Sequence, residues 1–180
     1  MKSEHQNPNF ATNPIKEPKL SRTHAPPGLS VVEWQRRLRR QFGREQAFGL
    51  ENLGSEPFFS EFRVSNPVSK SSYRVVIRGL GPGGNFCSCP DYATSELGTC
   101  KHLEFTLARL EKKRGAKAAF ARGYQPAFSE LYLRNEGGLR VHFRAGTDCP
   151  AAVREAAAGL FDAQRDGSCR TIASASWSIS

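Results

Sequence analysis

Three of the five cysteines and one of the four histidines lie close together, in the stretch "NFCSCPDYATSELGTCKH". They are spaced C-x-C-x10-C-x-H and are Cys87, Cys89, Cys100 and His102. Thiolates and an imidazole are preferred ligands of Zn²⁺, and three of the first with one of the second complete a tetrahedral site. A closed site of this kind has no position for a substrate. The spacing therefore predicts a structural zinc site.

Two other uses of these thiols are weaker hypotheses. A catalytic thiol would pair Cys100 with His102 as its base, but it would leave Cys87 and Cys89 unexplained. A disulfide between Cys87 and Cys89 would be strained at one-residue spacing and would need an oxidising compartment. Zinc binding is the hypothesis that uses all four residues.

Two segments must bring these side chains together. The stretch "SSYRVVIRGLGPGGNFCSC" predicts a β-hairpin, with alternating apolar residues in its first strand and a glycine-rich turn. Cys87 and Cys89 share a strand face, and Pro90 ends the strand. Residues two apart do not share a helical face, so we expect Cys100 just before the next helix and His102 in its first turn. The site is expected where a strand end meets a helix start.

Apolar periodicity predicts the elements around this hairpin. A helix begins after Ser30, a residue that can cap it, and its apolar face consists of Trp34, Leu38 and Phe42. The stretch "FFSEFRVSN" predicts a strand with Phe62 and Val64 on one side. A second helix runs from about His102 into the basic stretch "EKKRGAK", with an apolar stripe of Leu103, Leu107 and Leu110.

The C-terminal part of the chain predicts a hairpin followed by a short helix. In "FSELYLRNEGGLRVHFR" the turn spans 135–138, and the alternating apolar residues are Leu131, Leu133, Leu139, Val141 and Phe143. The opposite face holds Arg134, Arg140, His142 and Arg144. In "TDCPAAVREAAAGLFDA" Asp148 lies near the helix cap and Pro150 in the first turn.

These elements predict an α+β fold, in which a small zinc-stabilised hairpin plus helix is flanked by an N-terminal helix and a C-terminal hairpin–helix unit. The expected divisions are a disordered tail, a basic amphipathic helix and linker, a zinc-finger region, a β-hairpin with helix, and an irregular tail. Their bounds are 1–29, 30–60, 61–121, 122–165 and 166–180.

The net charge of +9 favours a polyanionic partner, nucleic acid first and an anionic membrane surface second. No segment has the apolar length of a membrane span or a signal peptide, so we expect an intracellular, cytoplasmic protein, associated with the nucleoid if it binds DNA. The candidate phosphate contacts are Arg36, Arg37, Arg39, Arg40, Lys112, Lys113, Arg114 and Lys117. The alternative for these residues is a solvated helix face.

The other glycine and cysteine patterns in the sequence do not predict a binding or catalytic site. Gly79, Gly81 and Gly84 match G-x-G-x-x-G, but a strand follows them instead of the helix that a dinucleotide site needs. Cys149 and Cys169 have no partner at ligand spacing, and we expect Cys149 to be a small buried residue. The chain has no Walker A, H-E-x-x-H or G-x-S-x-G motif. We therefore predict no catalytic activity and no small-molecule substrate.

The motif "CSCPDY" followed by "CKHLEFTLARLE" resembles a SWIM-type zinc finger, including Pro90 after the second cysteine and Lys101 between the last two ligands. Over residues 31–163 the chain is similar to the N-terminal region of bacterial SNF2-type helicases, which precedes their motor. The resemblance implies a zinc-binding module that binds DNA, as the accessory region of such a helicase or a truncated relative. The alternative that it implies is a zinc-dependent protein-interaction module that docks a helicase, an ATPase or another partner.

Phe86 and Tyr92 lie beside the ligands in the sequence. They are candidates for stacking on the bases of a single strand, and the alternative is packing inside the finger. We expect the packing role for both.

Overall fold

The structure of the protein is a computed structural model that describes residues 19–135, 139–163 and 170–172. The predictions for residues 1–18, for the turn residues 136–138 and for Cys169 lie outside these ranges. The described elements, in chain order, are α1 (Val31–Glu45), β1 (Gly49–Asn52), β2 (Glu61–Ser65), β3 (Ser72–Val76), β4 (Phe86–Cys87), α2 (Pro90–Thr94), α3 (Lys101–Leu110), α4 (Ala116–Arg122), β5 (Glu130–Asn135), β6 (Leu139–Arg144), α5 (Ala151–Leu160), β7 (Phe161–Ala163) and β8 (Arg170–Ile172). The mixed α+β class is confirmed.

The first sheet is an antiparallel meander in the order β1-β2-β3-β4. The predicted alternation is confirmed, because Phe62 and Val64 of β2 and Val75 of β3 are fully buried. The predicted hairpin is also present, with Val75 opposite Cys87. Strand β1 lies in the segment 30–60, for which the sequence predicts a helix and a linker. Its residues, "GLEN", are too few and too polar to show an alternating pattern.

Helix α1 begins as predicted, with the Ser30 hydroxyl accepting a hydrogen bond from the Glu33 amide at 3.2 Å. Trp34 and Leu38 are buried on its inner face. The helix packs against α3, and the approach is closest at Gly43. A Cβ atom there would lie 2.6 Å from the backbone nitrogen of Phe105, so only glycine allows this distance between the two backbones.

Residues 19–29 belong to the segment predicted to be a disordered tail, but their first part contacts α1. The indole nitrogen of Trp34 donates to the carbonyl oxygen of Ser21 at 2.9 Å. Lys19 forms an ion pair with Glu45 at 2.7 Å. These contacts place the start of this part of the segment against α1. Contacts of this kind, made by backbone polar groups and charges, leave no apolar pattern in the sequence.

The main core lies between α3 and the first sheet. Leu103, Leu107 and Leu110 form the predicted stripe of α3 and are all buried. They share one cluster with the inward side chains of β2 and β3 and with the three cysteines of the candidate site. Truncating one of these leucines to alanine costs about 2–5 kcal/mol in a typical core. The candidate site thus lies inside the core.

The second sheet has the order β5-β6-β8-β7. The predicted hairpin is present, but burial does not follow its apolar residues, because the most buried side chains belong to the polar face. His142 and Arg144 are 1% and 8% exposed, whereas Leu131 and Leu133 are 65% and 61% exposed. The polar face can be buried because its charge is paired: the Arg144 guanidinium contacts Glu130 at 2.6 Å. The same guanidinium lies 4.3 Å and 5.0 Å from the ring centroids of Tyr132 and Tyr124, respectively.

Helix α5 is present, but Pro150 is its N-cap residue and does not lie in the first turn. The predicted end of this helix, "FDA", forms β7 instead. Strand β8 lies in the segment 166–180, for which the sequence predicts no regular structure. Cys149 is buried, as predicted. Among the helices that the structure describes, none has both the length and the hydropathy needed to cross a membrane.

Candidate metal centre and basic surface

The structure brings the four predicted ligands together. The ligand atoms of Cys87, Cys89, Cys100 and His102 all lie within 4.8 Å of one another. The sulfur of Cys87 is 3.9 Å from Nδ1 of His102. All four side chains are buried, with at most 4% of their surface exposed. This cluster can hold a metal ion and leaves no ligand atom facing solvent.

The first two ligands lie at the transition from β4 to α2. Cys87 is the last residue of β4, and Cys89 is the N-cap of α2, with an extended backbone. Strand β4 ends at Cys87, so Cys89 lies outside it, and the prediction that the two cysteines share a strand ended by Pro90 is wrong. Pro90 instead begins a short helix that the sequence pattern does not predict. A proline in the first helical position has a suitable φ and no amide hydrogen to leave unpaired. The five-residue helix is too short to show apolar periodicity.

The second two ligands lie at the start of α3. Cys100 is the N-cap, with φ −151° and ψ 170°, and its carbonyl accepts the first helical hydrogen bond from the Glu104 amide at 3.0 Å. His102 lies in the first turn, so this prediction is confirmed. The change from extended to helical backbone at Cys100 lets residues two apart direct their side chains to one point.

Aromatic rings hold the imidazole in place. The ring centroid of His102 lies 4.6 Å from that of Tyr73 and 5.3 Å from that of Phe48. Phe48 also packs edge-on against Phe105 of α3. The imidazole therefore contacts two rings that limit its rotation and its contact with water.

The three thiols shift one another's pKa. A hydrogen bond from Cys100 lowers the pKa of Cys87, but a hydrogen bond with Cys89 and burial outweigh it and raise that pKa to about 12. Hydrogen bonds from Cys100 and Cys87 hold the pKa of Cys89 well below its ordinary range. Hydrogen bonds with Cys87 and Cys89, together with burial, raise the pKa of Cys100 far above its usual value. A metal ion bound by all three thiolates must displace the protons that these thiols otherwise hold.

The two aromatic residues beside the ligands have different surroundings. Tyr92 is buried, and its hydroxyl donates to the carbonyl oxygen of Asn85. Burial and the nearby cysteine sulfurs raise the pKa of Tyr92 to about 12. Phe86 packs edge-on against Tyr92 but is 46% exposed. The packing role expected for both residues is confirmed for Tyr92 and is only partial for Phe86.

Two of the predicted phosphate contacts on α1 form ion pairs with acidic residues of other helices. The guanidinium of Arg39 lies 2.8 Å from the carboxylate of Asp91 in α2. Arg40 lies 3.3 Å from Glu104 in α3, whose other oxygen accepts a hydrogen bond from Thr99 at 2.8 Å. These arginines therefore attach α1 to the two helices that hold the ligands.

The other two arginines of α1 differ from each other. Arg36 donates from Nε to the carbonyl oxygen of Leu97 at 2.9 Å, in the loop between the two pairs of ligands. Arg37 points outward and pairs with Glu33 one turn earlier at 2.9 Å. Three of the four arginines thus contact the region around the cluster, and Arg37 lies at the exposed surface.

The remaining predicted contacts do not lie on one long helix. Helix α3 ends at Leu110, and Gly115, with φ +86°, separates it from α4. All four cations of this group are exposed and, among the described residues, form no ion pair. They lie in the turn and at the start of α4, and are Lys112, Lys113, Arg114 and Lys117. We call them the turn cations.

Asp91 and Glu104 are partners of α1 that the sequence pattern does not predict. Their sequence positions contain a weak signal, since each acid follows a ligand by two residues. Their positions identify them as partners only when the packing of α1 beside them is known.

Comparison of the chain with protein-family models, with curated proteins and with solved structures finds no match. The resemblance to SWIM-type zinc fingers and to SNF2-type helicases therefore rests on the motifs given above and stays a prediction.

Proposed function

We propose that the chain is a non-catalytic zinc-binding module that binds nucleic acid, and DNA in particular. Zinc suits the donor set, because three thiolates and one imidazole form its usual closed structural site. Bond lengths of about 2.3 Å to sulfur and about 2.0–2.1 Å to nitrogen would separate the ligand atoms by about 3.6–3.8 Å. The 3.9 Å between Cys87 and His102 is close to this separation.

The observation that supports nucleic-acid binding is the exposure of the turn cations, which form no ion pair within the described residues. Cations that are already neutralised by carboxylates have little to offer a phosphate, whereas these four are available. The net charge of +9 supports the same partner at longer range. The preference for DNA over RNA comes from the resemblance alone.

The test is a titration of the zinc-loaded protein with labelled DNA at several salt concentrations. Four phosphate contacts predict a slope of log affinity against log salt of about −3 to −4. The double variant Lys112→Gln/Lys113→Gln should weaken binding about tenfold at low salt and lower the magnitude of the slope by about 2.

The matched control removes two exposed charges elsewhere, at Lys70 and Arg154. The variant Lys70→Gln/Arg154→Gln has the same net charge as the first double variant. It should bind within about twofold of the wild type if local contacts matter more than total charge. Equal losses in the two variants would reduce the proposal to non-specific attraction, and absence of binding at low salt would refute it.

A second candidate function is protein interaction, with the helicase motor that the resemblance implies as the partner. The observation that favours it is the exposure of Leu131 and Leu133 on β5, the edge strand of its sheet. Exposed apolar side chains on an edge strand are typical of interaction sites. A motor captured through this strand should be retained at high salt and after nuclease treatment, and released by Leu131→Ser/Leu133→Ser. Recovery lost on nuclease treatment would contradict this function.

A further inference from the structure

A cleft lies beside the turn cations. Its volume is about 400 Å³, and its walls come from α4, from the end of α3 and from the loop between β3 and β4. The lining residues are Leu80, Glu111, Ala116, Lys117, Phe120 and Ala121. This volume is within the range of clefts that hold small organic groups, roughly 300–1,000 Å³. None of these residues contributes to the metal centre.

The cleft offers a flat apolar surface whose position is restrained. The ring of Phe120 packs edge-on against Phe59, with centroids 5.5 Å apart and an interplanar angle of 90°. Phe58 makes a similar contact at 6.0 Å. Leu80 is 47% exposed on the loop side of the cleft. A planar group that entered would find an aromatic ring already positioned and an aliphatic side chain beside it.

The charged side chains that line the cleft determine which planar ligands it can bind. Lys117 lines it, and the other turn cations follow Glu111 directly in the chain. Glu111 also lines the cleft and brings a carboxylate, which accepts hydrogen bonds and repels anions. The arrangement suits a ligand that is anionic along its backbone and has uncharged planar groups with N–H donors. An acidic peptide matches the cations but would bring its own carboxylates toward Glu111.

We infer that this cleft binds one unpaired base of a single-stranded nucleic acid, while the turn cations bind the phosphates next to it. The inference rests on the proposed nucleic-acid binding and adds a preference for single strands. The bases of a duplex are stacked on both faces and cannot enter the cleft. Cytosine and adenine have an exocyclic amine that can donate to a carboxylate such as that of Glu111.

The experiment compares three labelled probes of equal length at low salt, by fluorescence anisotropy with the zinc-loaded full chain. They are oligo(dC), an abasic strand and a duplex. The abasic strand keeps the phosphates and lacks the bases, so it isolates the contribution of the cleft. We expect oligo(dC) to bind about tenfold more tightly than the abasic strand, the range found for one stacked base. The duplex should bind more weakly than oligo(dC).

Two variants test the cleft itself. Phe120→Leu keeps an apolar side chain and removes the ring, so it should reduce the affinity for oligo(dC) about tenfold and leave that for the abasic strand unchanged. Leu80→Ala changes a half-exposed residue outside the core and should show the same pattern with a smaller loss. It keeps the test valid if Phe120→Leu lowers stability. Unchanged zinc content and circular dichroism verify the fold of each variant.

The outcomes separate the two proposals. Equal affinity for oligo(dC) and the abasic strand would overturn the base-binding inference and leave phosphate binding intact. Tighter binding of the duplex would also overturn it. An oligoglutamate peptide that binds in a manner dependent on Phe120 would make the cleft a peptide site and refute the inference. Failure of all three nucleic-acid probes to bind would refute the proposed function together with it.

Discussion

The turn cations and three of the arginines of α1 are all basic but have different surroundings. Arg39 and Arg40 reach carboxylates on the helices that hold the candidate ligands, at 2.8 Å and 3.3 Å. Arg36 donates to a carbonyl oxygen in the loop between the ligands. Lys112 and Lys113, by contrast, are exposed, and within the described residues neither forms an ion pair.

This difference shows that a dense run of basic residues has no single role. On α1 the run supplies tertiary contacts between a helix and a small core. Between α3 and α4 the run remains available to a ligand. What separates the two cases is the location of acidic partners about fifty or sixty residues away in the sequence, as with Arg39 and Asp91, which are 52 residues apart. Substitutions that remove the metal, separate α1 from α3 or break one ion pair should each change this difference, with effects that decrease in that order.

Loss of the metal should abolish the difference between the two groups. Cys100→Ser removes a ligand at the start of α3, so we expect less than one zinc per chain and loss of cooperative unfolding. Without an ordered α3 and α2, the arginines of α1 lose their acceptors and should become as accessible to trypsin as the turn cations. Metal content by mass spectrometry, thermal unfolding and limited proteolysis measure these effects. Acidification should have the same effect, because protons compete with the metal for the thiolates.

The matched control is Cys149→Ser, which changes a buried thiol outside the cluster. It should retain one zinc per chain and the protease resistance of α1. A folded, reduced wild-type protein without zinc would contradict the proposed zinc site, and so would full zinc retention in Cys100→Ser.

The close contact between α1 and α3 keeps the arginines of α1 near their acidic partners. A Cβ at position 43 would lie 2.6 Å from a backbone nitrogen of α3 and 2.8 Å from the Cβ of Glu104. Gly43→Ala must therefore push the helices apart, and we expect a loss of about 1–3 kcal/mol in the free energy of unfolding, with weakening of the Arg40 contact. Chemical denaturation of the zinc-loaded protein measures the loss.

Gly159→Ala is the control, because a Cβ added to this glycine of α5 would meet no atom of another element within 4 Å. It should stabilise the protein by up to about 1 kcal/mol through helix propensity. Equal effects of the two substitutions would show that the approach of α1 to α3 does not depend on the missing side chain.

The sequence predicts those parts of the fold that depend on local periodicity or on ligand chemistry. Phe62 and Val64 alternate with polar residues, as in a half-buried strand. Cys100 and His102 are two residues apart, which places the first just before a helix and the second in its first turn. Both predictions hold because the cause lies within a few residues. The gathering of all four ligands follows from the same local rules, combined with the preference of a metal for thiolates.

Features that depend on distant neighbours could not be predicted. The buried polar face of β5 and β6 is stable because Arg144 meets Glu130 and two tyrosine rings, one of which, Tyr124, comes from outside the hairpin. Apolar content alone favours the opposite face. A break in the helix before Lys117 could have been anticipated from Gly115, whose left-handed backbone directly precedes α4. The continuous basic stretch around it favours a single helix instead.

A single ion pair provides the finest test of the comparison. Arg39→Gln removes the contact with Asp91, and since the arginine side chain is only 24% exposed we expect a loss of about 1 kcal/mol in stability. The change should leave DNA affinity within about twofold of the wild type.

Lys113→Gln should have the opposite pair of effects, with no measurable change in stability and about a threefold loss of DNA affinity at low salt. A double-mutant cycle with Asp91→Asn isolates the pair, because the second substitution should cost little once Arg39 is gone. If Arg39→Gln instead weakened DNA binding and left stability unchanged, the two groups would share one role, and the phosphate-binding surface would have to extend across α1.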